Sequence, residues 1–127
     1  MYRTYITVGV IILLLGVGTF WYSDYIHKSA DSIVQKLNLV EELIQGEKWQ
    51  EAEFELTKME EEWEETKKMW SVLLHHQEID SIDISLKRVE KYIQGESSVL
   101  GLGELSALRL LVDHISDTES LSIQNIF

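Results

Sequence analysis

Apolar residues form successive stripes along the chain, and this pattern predicts helices from one end to the other. The first stripe is a continuous run from Tyr5 to Tyr22 that contains no charged side chain. As a helix, this run is about 27 Å long, which just crosses a hydrocarbon core of roughly 30 Å. It therefore predicts a transmembrane helix. Aromatic side chains suited to a membrane interface lie at both ends of the run: Tyr2, Tyr5, Trp21, Tyr22 and Tyr25.

A cleaved signal peptide is the alternative interpretation of this run. Signal peptidase requires small side chains just after the apolar segment, whereas the bulky sequence TFWYSDY follows here at residues 19–25. An uncleaved anchor is therefore favoured. This interpretation divides the chain into an anchor with a short N-terminal tail, residues 1–27, and a helical domain, residues 28–127.

Beyond the anchor, apolar residues recur at alternating spacings of four and three, which is typical of one buried helix face. The first of these stripes comprises Ile26, Ala30, Ile33, Leu37, Val40 and Ile44. Because it starts where the membrane run ends, the membrane helix can continue into it without a break. Gly46 is expected to take the left-handed conformation that ends this helix, with a turn over residues 45–47.

The longest stripe comes next, with acidic residues filling the opposite face. Its members are Trp49, Ala52, Leu56, Met59, Trp63, Thr66, Trp70 and Leu73. Large rings at heptad spacing indicate a packed core rather than a ligand pocket. Two shorter stripes follow: Ile82, Leu86, Val89 and Ile93, then Leu105, Leu108, Val112 and Ile115. The fold class expected is all-α, an N-terminal transmembrane helix followed by an antiparallel bundle of about four helices.

Charge and composition exclude several classes of function. The chain has 127 residues, with 11 basic against 22 acidic side chains and a net charge of −11. Such a surface repels nucleic-acid phosphates, so we expect no nucleic-acid partner. The absence of cysteine removes disulfides and thiolate chemistry, and the absence of proline permits long uninterrupted helices.

The stretch HHQEID is the tightest cluster of imidazoles and carboxylates in the chain. On one helix, His76 would share a face with Asp80, and His75 with Glu78, while His114 could join them in space. This set is the candidate metal or sensing site. The favoured alternative is a corner, with the histidines in the last turn of the long helix and the acids opening the next helix.

No other pattern points to catalysis. The sequence contains no nucleophile and base at a recognisable spacing, and the Gly101 to Gly103 sequence GLG is too short for a nucleotide fingerprint. The acidic run EEEWEE lacks the loop glycine and alternating oxygen ligands of a calcium site. We therefore expect no enzyme, no catalytic residues, no cofactor and no bound metal.

The order of these features resembles domain-of-unknown-function family 4363, small single-pass bacterial membrane proteins found mostly in Firmicutes. The anchor, KWQEAEFELTKMEEEWEETKKMW, HQEIDSIDISLKRVEKYI and the closing LSIQNIF carry the resemblance. It implies a helical domain outside the cytoplasmic membrane, no established activity, and a role beside multi-pass membrane proteins. It implies no catalytic residues.

These observations favour a membrane-anchored interaction or accessory module that acts with another membrane protein or as a homo-oligomer. Its acidic outer face, or an anchor face containing Gly9, Gly16 and Gly18, is the expected contact surface. The alternative function is a metal-binding or sensing protein that uses His75, His76, Glu78 and Asp80. Positive charges flank the anchor almost equally, so the extracytoplasmic placement of the C-terminal domain follows mainly from the resemblance.

Overall fold

The computed structural model describes residues 1–72 and 74–126, with side chains described through residue 118. Leu73, predicted as the last member of the longest stripe, lies outside the described residues, as do the side chains of the closing LSIQNIF. The described chain is all-α, as expected. Its four helices are α1 (Tyr2–Gln45), α2 (Trp49–Trp70), α3 (His76–Gln94) and α4 (Ser98–Ile126).

Helix α1 joins the apolar N-terminal run to the bundle without interruption. Its second part buries the predicted stripe: Ile26, Ala30, Ile33, Leu37, Val40 and Ile44. Its first part is long and apolar enough to cross a membrane, and none of that window is buried against the described chain. One helix therefore has two environments, with the change near Tyr22, which packs on the edge of the core.

The four helices form an antiparallel ring in which each contacts its two neighbours. Helix α1 packs against α2 and α4, and α3 completes the ring between them. Among the described residues, the core comprises the buried apolar members of the predicted stripes together with Leu74 and Ile79, and Trp49 is partly buried against it. Among the described residues, the α2/α3 contact is the sparsest of the four.

Two turns at the far end of the bundle share one geometry. After α1, the Lys48 amide donates to the Leu43 carbonyl and the Glu47 amide donates to Ile44, which is a Schellman motif. This pattern places the left-handed residue at Glu47, with φ 55°, whereas Gly46 has φ −84°. The expectation that Gly46 adopts the left-handed conformation is therefore wrong by one residue, although the turn itself is confirmed.

The second turn follows α3 and repeats the first, with Glu96 in the left-handed conformation at φ 52°. The same four residues, IQGE, occur at 44–47 and at 93–96, which are 49 residues apart. Across 32–47 and 81–96, nine of sixteen residues are identical at this offset. The end of α1 with its turn is therefore repeated in the end of α3, which makes the α3/α4 hairpin the counterpart of the α1/α2 hairpin.

Burial follows the same offset along both hairpins. Every buried position from Ala30 to Thr66 has a buried counterpart 49 residues later, from Ile79 to Ile115. The two hairpins thus share one burial pattern, in which α3 corresponds to α1 and α4 to α2. This relation makes each surface of one hairpin a natural control for the equivalent surface of the other.

The corner between α2 and α3 differs from the expected one. Helix α2 ends at Trp70, and His76 opens α3 after an extended His75, so the histidines do not occupy the last turn of α2. The Tyr22 hydroxyl lies 3.5 and 3.4 Å from the Met69 and Trp70 carbonyl oxygens, where it can satisfy the end of α2. Leu74 then turns back into the core, 8% exposed. The predicted corner between the two helices is confirmed. Helix α2 ends before the histidines, however, and its last turn contacts Tyr22 of α1.

Trp63 tests the single-bundle architecture because it is 2% exposed. Replacement by alanine should lower the free energy of unfolding by about 3 to 5 kcal/mol through lost contacts and a cavity. Glu64 and Glu65 are exposed, so their replacement by glutamine should change it by less than about 0.5 kcal/mol. Thermal unfolding of the full chain in mild detergent checks this comparison. If Trp63→Ala unfolds at the parent temperature, the tryptophan is not a core residue.

Candidate functional site

The predicted cluster at HHQEID is spread out at the start of α3. His75, His76 and Asp80 are exposed, whereas Glu78 is half-buried. Glu78 and His114 line one small groove of about 140 Å³ between α3 and α4. Within residues 1–72 and 74–118, no three histidine, aspartate or glutamate side chains are grouped so as to hold a metal ion. The structure therefore brings together only part of the candidate metal site.

Trp63 and Trp70 of α2 are core residues with polar contacts to neighbouring helices. The rings of Trp63 and Trp70 meet edge to face, with centroids 5.4 Å apart and planes at 88°. Trp63 Nε1 donates to Asp83 Oδ1 at 2.7 Å, and Trp70 Nε1 donates to Ser29 Oγ at 2.9 Å. These bonds tie α2 to α3 and to α1. The interpretation of the stripe as core rather than ligand pocket is confirmed.

Charged side chains distinguish two helix interfaces that the duplication makes equivalent. Between α1 and α4, Glu41 pairs with Arg109, and both side chains are 26% exposed. The equivalent positions between α2 and α3 are Glu90 and Glu60, which are both acidic. Burial raises the pKa of the Glu60 carboxyl, and the charge of Glu90 raises it further, while Lys87 opposes this rise. Like charges thus occupy the sparsest interface of the bundle.

Lys87 moderates this repulsion from one side. Its ammonium lies 2.7 Å from Glu90 Oε2, and this bond lowers the pKa of Glu90. Glu90 therefore remains charged at neutral pH, and Glu60 bears the unfavourable part of the pair. This pair of carboxylates weakens the packing between α2 and α3. A shallow groove of about 210 Å³ lies beside it, lined by Glu60 and Lys87 among others.

An open groove with apolar side chains in its lining lies between α3 and α4. It encloses about 770 Å³. Its lining comprises Ser81, Ile84, Ser85, Arg88, Glu104, Ala107, Leu110, Leu111 and His114. Ile84 is 53% exposed and Leu110 is 70% exposed, so two large apolar side chains face solvent here. We call this feature the α3/α4 groove.

The duplicated hairpin shows that this apolar character is not required by the fold. Ile84, Ala107 and Leu110 correspond to Gln35, Lys58 and Glu61 on the α1/α2 hairpin. The equivalent surface is polar and charged at these three positions, although Arg88 corresponds to the exposed Leu39, and the core beneath it is built in the same way. A solvent-facing apolar patch that the fold does not need is typical of an interaction surface.

A comparison with protein-family models places this architecture in a family. The model for a domain of unknown function, DUF4363, matches residues 20–126. The chain belongs to this family. The match covers the whole bundle and the end of the apolar run, and it confirms the resemblance drawn from the sequence. No curated protein and no solved structure matches the chain.

Periodicity does not reveal the α3/α4 groove, although the sequence contains a signal for it. The core stripes account for one apolar face of each helix, and local periodicity assigns no role to the remaining apolar residues Ile84 and Leu110. Comparison of the chain with itself at an offset of 49 residues distinguishes Ile84 and Leu110, because the residues at the equivalent positions, Gln35 and Glu61, are polar. The DUF4363 match begins at Phe20, so it includes every residue of this groove.

Replacement of Glu60 by glutamine should stabilise the protein at neutral pH. A carboxyl whose pKa is raised on folding costs stability when it is charged, and this cost disappears when both states are protonated. We expect a gain below about 1 kcal/mol near pH 7, because the side chain is only partly buried. The gain should shrink towards zero below about pH 4.

Thermal unfolding of the full chain across this pH range measures the effect, with Glu61→Gln as the exposed neighbouring control. A stabilisation of Glu60→Gln that is unchanged from neutral to acidic pH would contradict the electrostatic explanation.

Proposed function

We propose that this protein is a membrane-anchored helical module that binds another membrane protein and has no catalytic role. The observation that carries the proposal is α1, a single helix whose first part is apolar and uncovered and whose second part is one wall of the bundle. Such a helix would hold a folded domain at a fixed distance from a bilayer. The DUF4363 family match is compatible with this role and assigns no activity.

Exposure along the first part of α1 supports membrane insertion. Its large apolar side chains are solvent-exposed in the isolated chain, including Leu13 at 67% and Phe20 at 68%. A contiguous apolar surface of this extent is unfavourable in water, and a bilayer would cover it on all sides. Tyr5 near one end and Trp21 at the other are placed where interfacial rings would lie.

Packing at the end of the apolar run supports an anchor that is retained rather than cleaved. Tyr22 contacts the end of α2, and Ile26 is fully buried in the bundle. Trp70 Nε1 reaches Ser29 on the next turn of α1, and His27 Nδ1 lies 2.7 Å from Ser116 Oγ. Cleavage after the run would remove part of these contacts. The bundle would therefore begin within about one helical turn of the membrane surface.

Two surfaces are proposed to meet the membrane partner. One is the acidic outer face of α2, which suits a basic loop of a neighbouring protein. The other is the anchor face that contains Gly9 and Gly16, where the buried stripe of α1 continues at heptad spacing through Ser23. A Cβ added at Gly9 would meet nothing within 4 Å, so another membrane helix would approach closely there.

The charge of the bundle agrees with a partner that is not nucleic acid. The net charge of −11 repels phosphate backbones and anionic headgroups, so the domain would stand away from an acidic lipid surface. We propose the N-terminus inside and the bundle in the extracytoplasmic space.

Membrane location and sidedness are tested with one single-cysteine variant, because the natural chain has no cysteine. Glu51 is exposed at the far end of the bundle, so Glu51→Cys should react with a membrane-impermeant maleimide in intact cells. The protein should also remain in the membrane pellet after alkaline carbonate extraction. Labelling only after permeabilisation would overturn the proposed sidedness, and release by carbonate would overturn the anchor.

Partner binding is tested by copurification of the tagged full chain from gently solubilised membranes. We expect a reproducible membrane protein in the eluate, retained more strongly after chemical crosslinking. A matched control is the variant with Ile12→Lys and Leu13→Lys, which should not enter the membrane. A chain that elutes as a monomer with no partner, even after crosslinking, would contradict the proposal.

A further inference from the structure

We infer that the α3/α4 groove and the exposed side of α4 bind the same surface of a second copy of this chain. The resulting assembly is a parallel dimer whose twofold axis lies along the membrane normal. The inference deepens the proposed function and rests on it in one respect, because both copies must be anchored in the same membrane with the same orientation.

The first observation is a second heptad stripe on α4, on its exposed side. It comprises Leu100, Gly103, Ala107, Leu110 and His114, which recur at spacings of three and four. We call it the α4 outer stripe, and all five residues are exposed. The core of the bundle is covered by a different stripe, which includes Leu105, Leu108 and Val112. Helix α4 therefore has two heptad faces, and the protein covers only one of them.

The second observation is the equivalent face of α2, which the duplication supplies as a control. The positions 49 residues before the α4 outer stripe are Glu51, Phe54, Lys58, Glu61 and Glu65. Four of these five are charged, whereas the α4 outer stripe contains no acidic or basic residue apart from His114. The two hairpins share one core pattern, although their outer stripes differ. The apolar outer stripe of α4 is therefore not needed to pack the core.

Charge makes this surface the one best suited to a second copy. In a parallel pair with a twofold axis along the helices, each residue of the seam lies opposite its own copy. Like charges would then face each other across most of this protein, whose net charge is −11. The part of the α4 outer stripe between Leu100 and Leu110 contains no charged residue, so two copies that meet there do not repel each other. Two copies anchored in one membrane have the same orientation, so they can meet through this surface only in the parallel arrangement.

Shape is consistent with the same arrangement. Gly103 and Ala107 allow two helices to approach closely in the middle of the stripe, and a Cβ at Gly103 would meet nothing within 4 Å. Leu110 of each copy would then enter the α3/α4 groove of the other and contact Ile84. Arg88, whose side chain is 60% exposed, would lie at the rim of the groove beside Glu104.

The size of the stripe indicates that the dimer depends on the membrane. From residue 100 to residue 114 the helix is about 21 Å long, which is short for an interface that buries the roughly 800 Å² per partner of stable complexes. Confinement of both anchors to one bilayer raises the effective concentration and compensates for a modest interface. The same chain diluted in detergent should therefore dissociate more readily than it does in membranes.

Disulfide crosslinking in native membranes tests the inference directly, because single-cysteine variants need no removal of natural cysteines. Ala107→Cys should form a covalent dimer under mild oxidation, since a parallel seam brings the two copies of residue 107 within disulfide range. Lys58→Cys, the duplicated position on α2, is the matched control. We expect about tenfold more dimer for Ala107→Cys than for Lys58→Cys.

A second substitution separates the interface from the fold. Leu110→Glu, added to Ala107→Cys, should reduce crosslinking to the level of Lys58→Cys by placing like charges opposite each other. Its melting temperature should match that of the parent because Leu110 is 70% exposed. If Leu110→Glu lowers the melting temperature, Ala107→Glu replaces it as the disrupting substitution in a Gly103→Cys background, and the same loss of crosslinking is required.

Three results would overturn the inference. Equal crosslinking of Ala107→Cys and Lys58→Cys would indicate random collision. Absence of a covalent dimer for both Ala107→Cys and Gly103→Cys would show that the α4 outer stripes do not meet. A disulfide adduct of Ala107→Cys with a different protein would assign the groove to another partner. If a membrane partner copurifies while Ala107→Cys stays monomeric, the inference fails and the proposed function stands. If neither occurs, both fail.

Discussion

Burial of one stripe of α1 against α2 and α4 is the contact on which the rest of this structure depends. The stripe contributes a fully buried residue at nearly every turn from Ile26 to Ile44. Because the same helix continues N-terminally as an apolar segment, this contact also fixes the direction in which that segment leaves the bundle. Tyr22, Ser29 and His27 add polar contacts to α2 and α4 at the point of departure. The packing that stabilises the domain thus also determines how it would stand on a membrane.

Duplication explains both the regularity of the bundle and the places where it varies. The core stripes, the IQGE turns and the left-handed glutamates are shared by both hairpins, which indicates that they satisfy requirements of the fold. The two halves differ on their surfaces: Glu41 pairs with Arg109, whereas Glu60 faces a carboxylate, and the outer side of α4 is apolar where that of α2 is acidic. Surface residues that differ between two hairpins with the same core are not explained by folding, so they are the first candidates for a functional role.

Local periodicity was sufficient to predict the helices, the core and the continuity of α1. Heptad spacing of large apolar residues predicts the core face of each helix, although it does not distinguish that face from the exposed outer stripe of α4. It could not predict features set by distant contacts. The end of α2 at Trp70 involves Tyr22, which lies on another helix, and the left-handed residue at Glu47 follows from hydrogen bonds that close a Schellman motif. The α3/α4 groove was missed for another reason, since only comparison of the two halves shows that its apolar residues are unnecessary for folding.

The central claim is that one unbroken helix joins the apolar segment to the bundle core, and a distance across that helix tests it most directly. Tyr5→Cys and Asn38→Cys, combined in one chain, carry nitroxide labels on the exposed surface of α1. The doubly labelled protein, diluted with unlabelled chain in lipid nanodiscs, is measured by double electron–electron resonance. A straight helix predicts a single narrow distribution near about 50 Å. A broad distribution, or a mean far below this distance, would show a hinge between the apolar segment and the bundle and would contradict the claim.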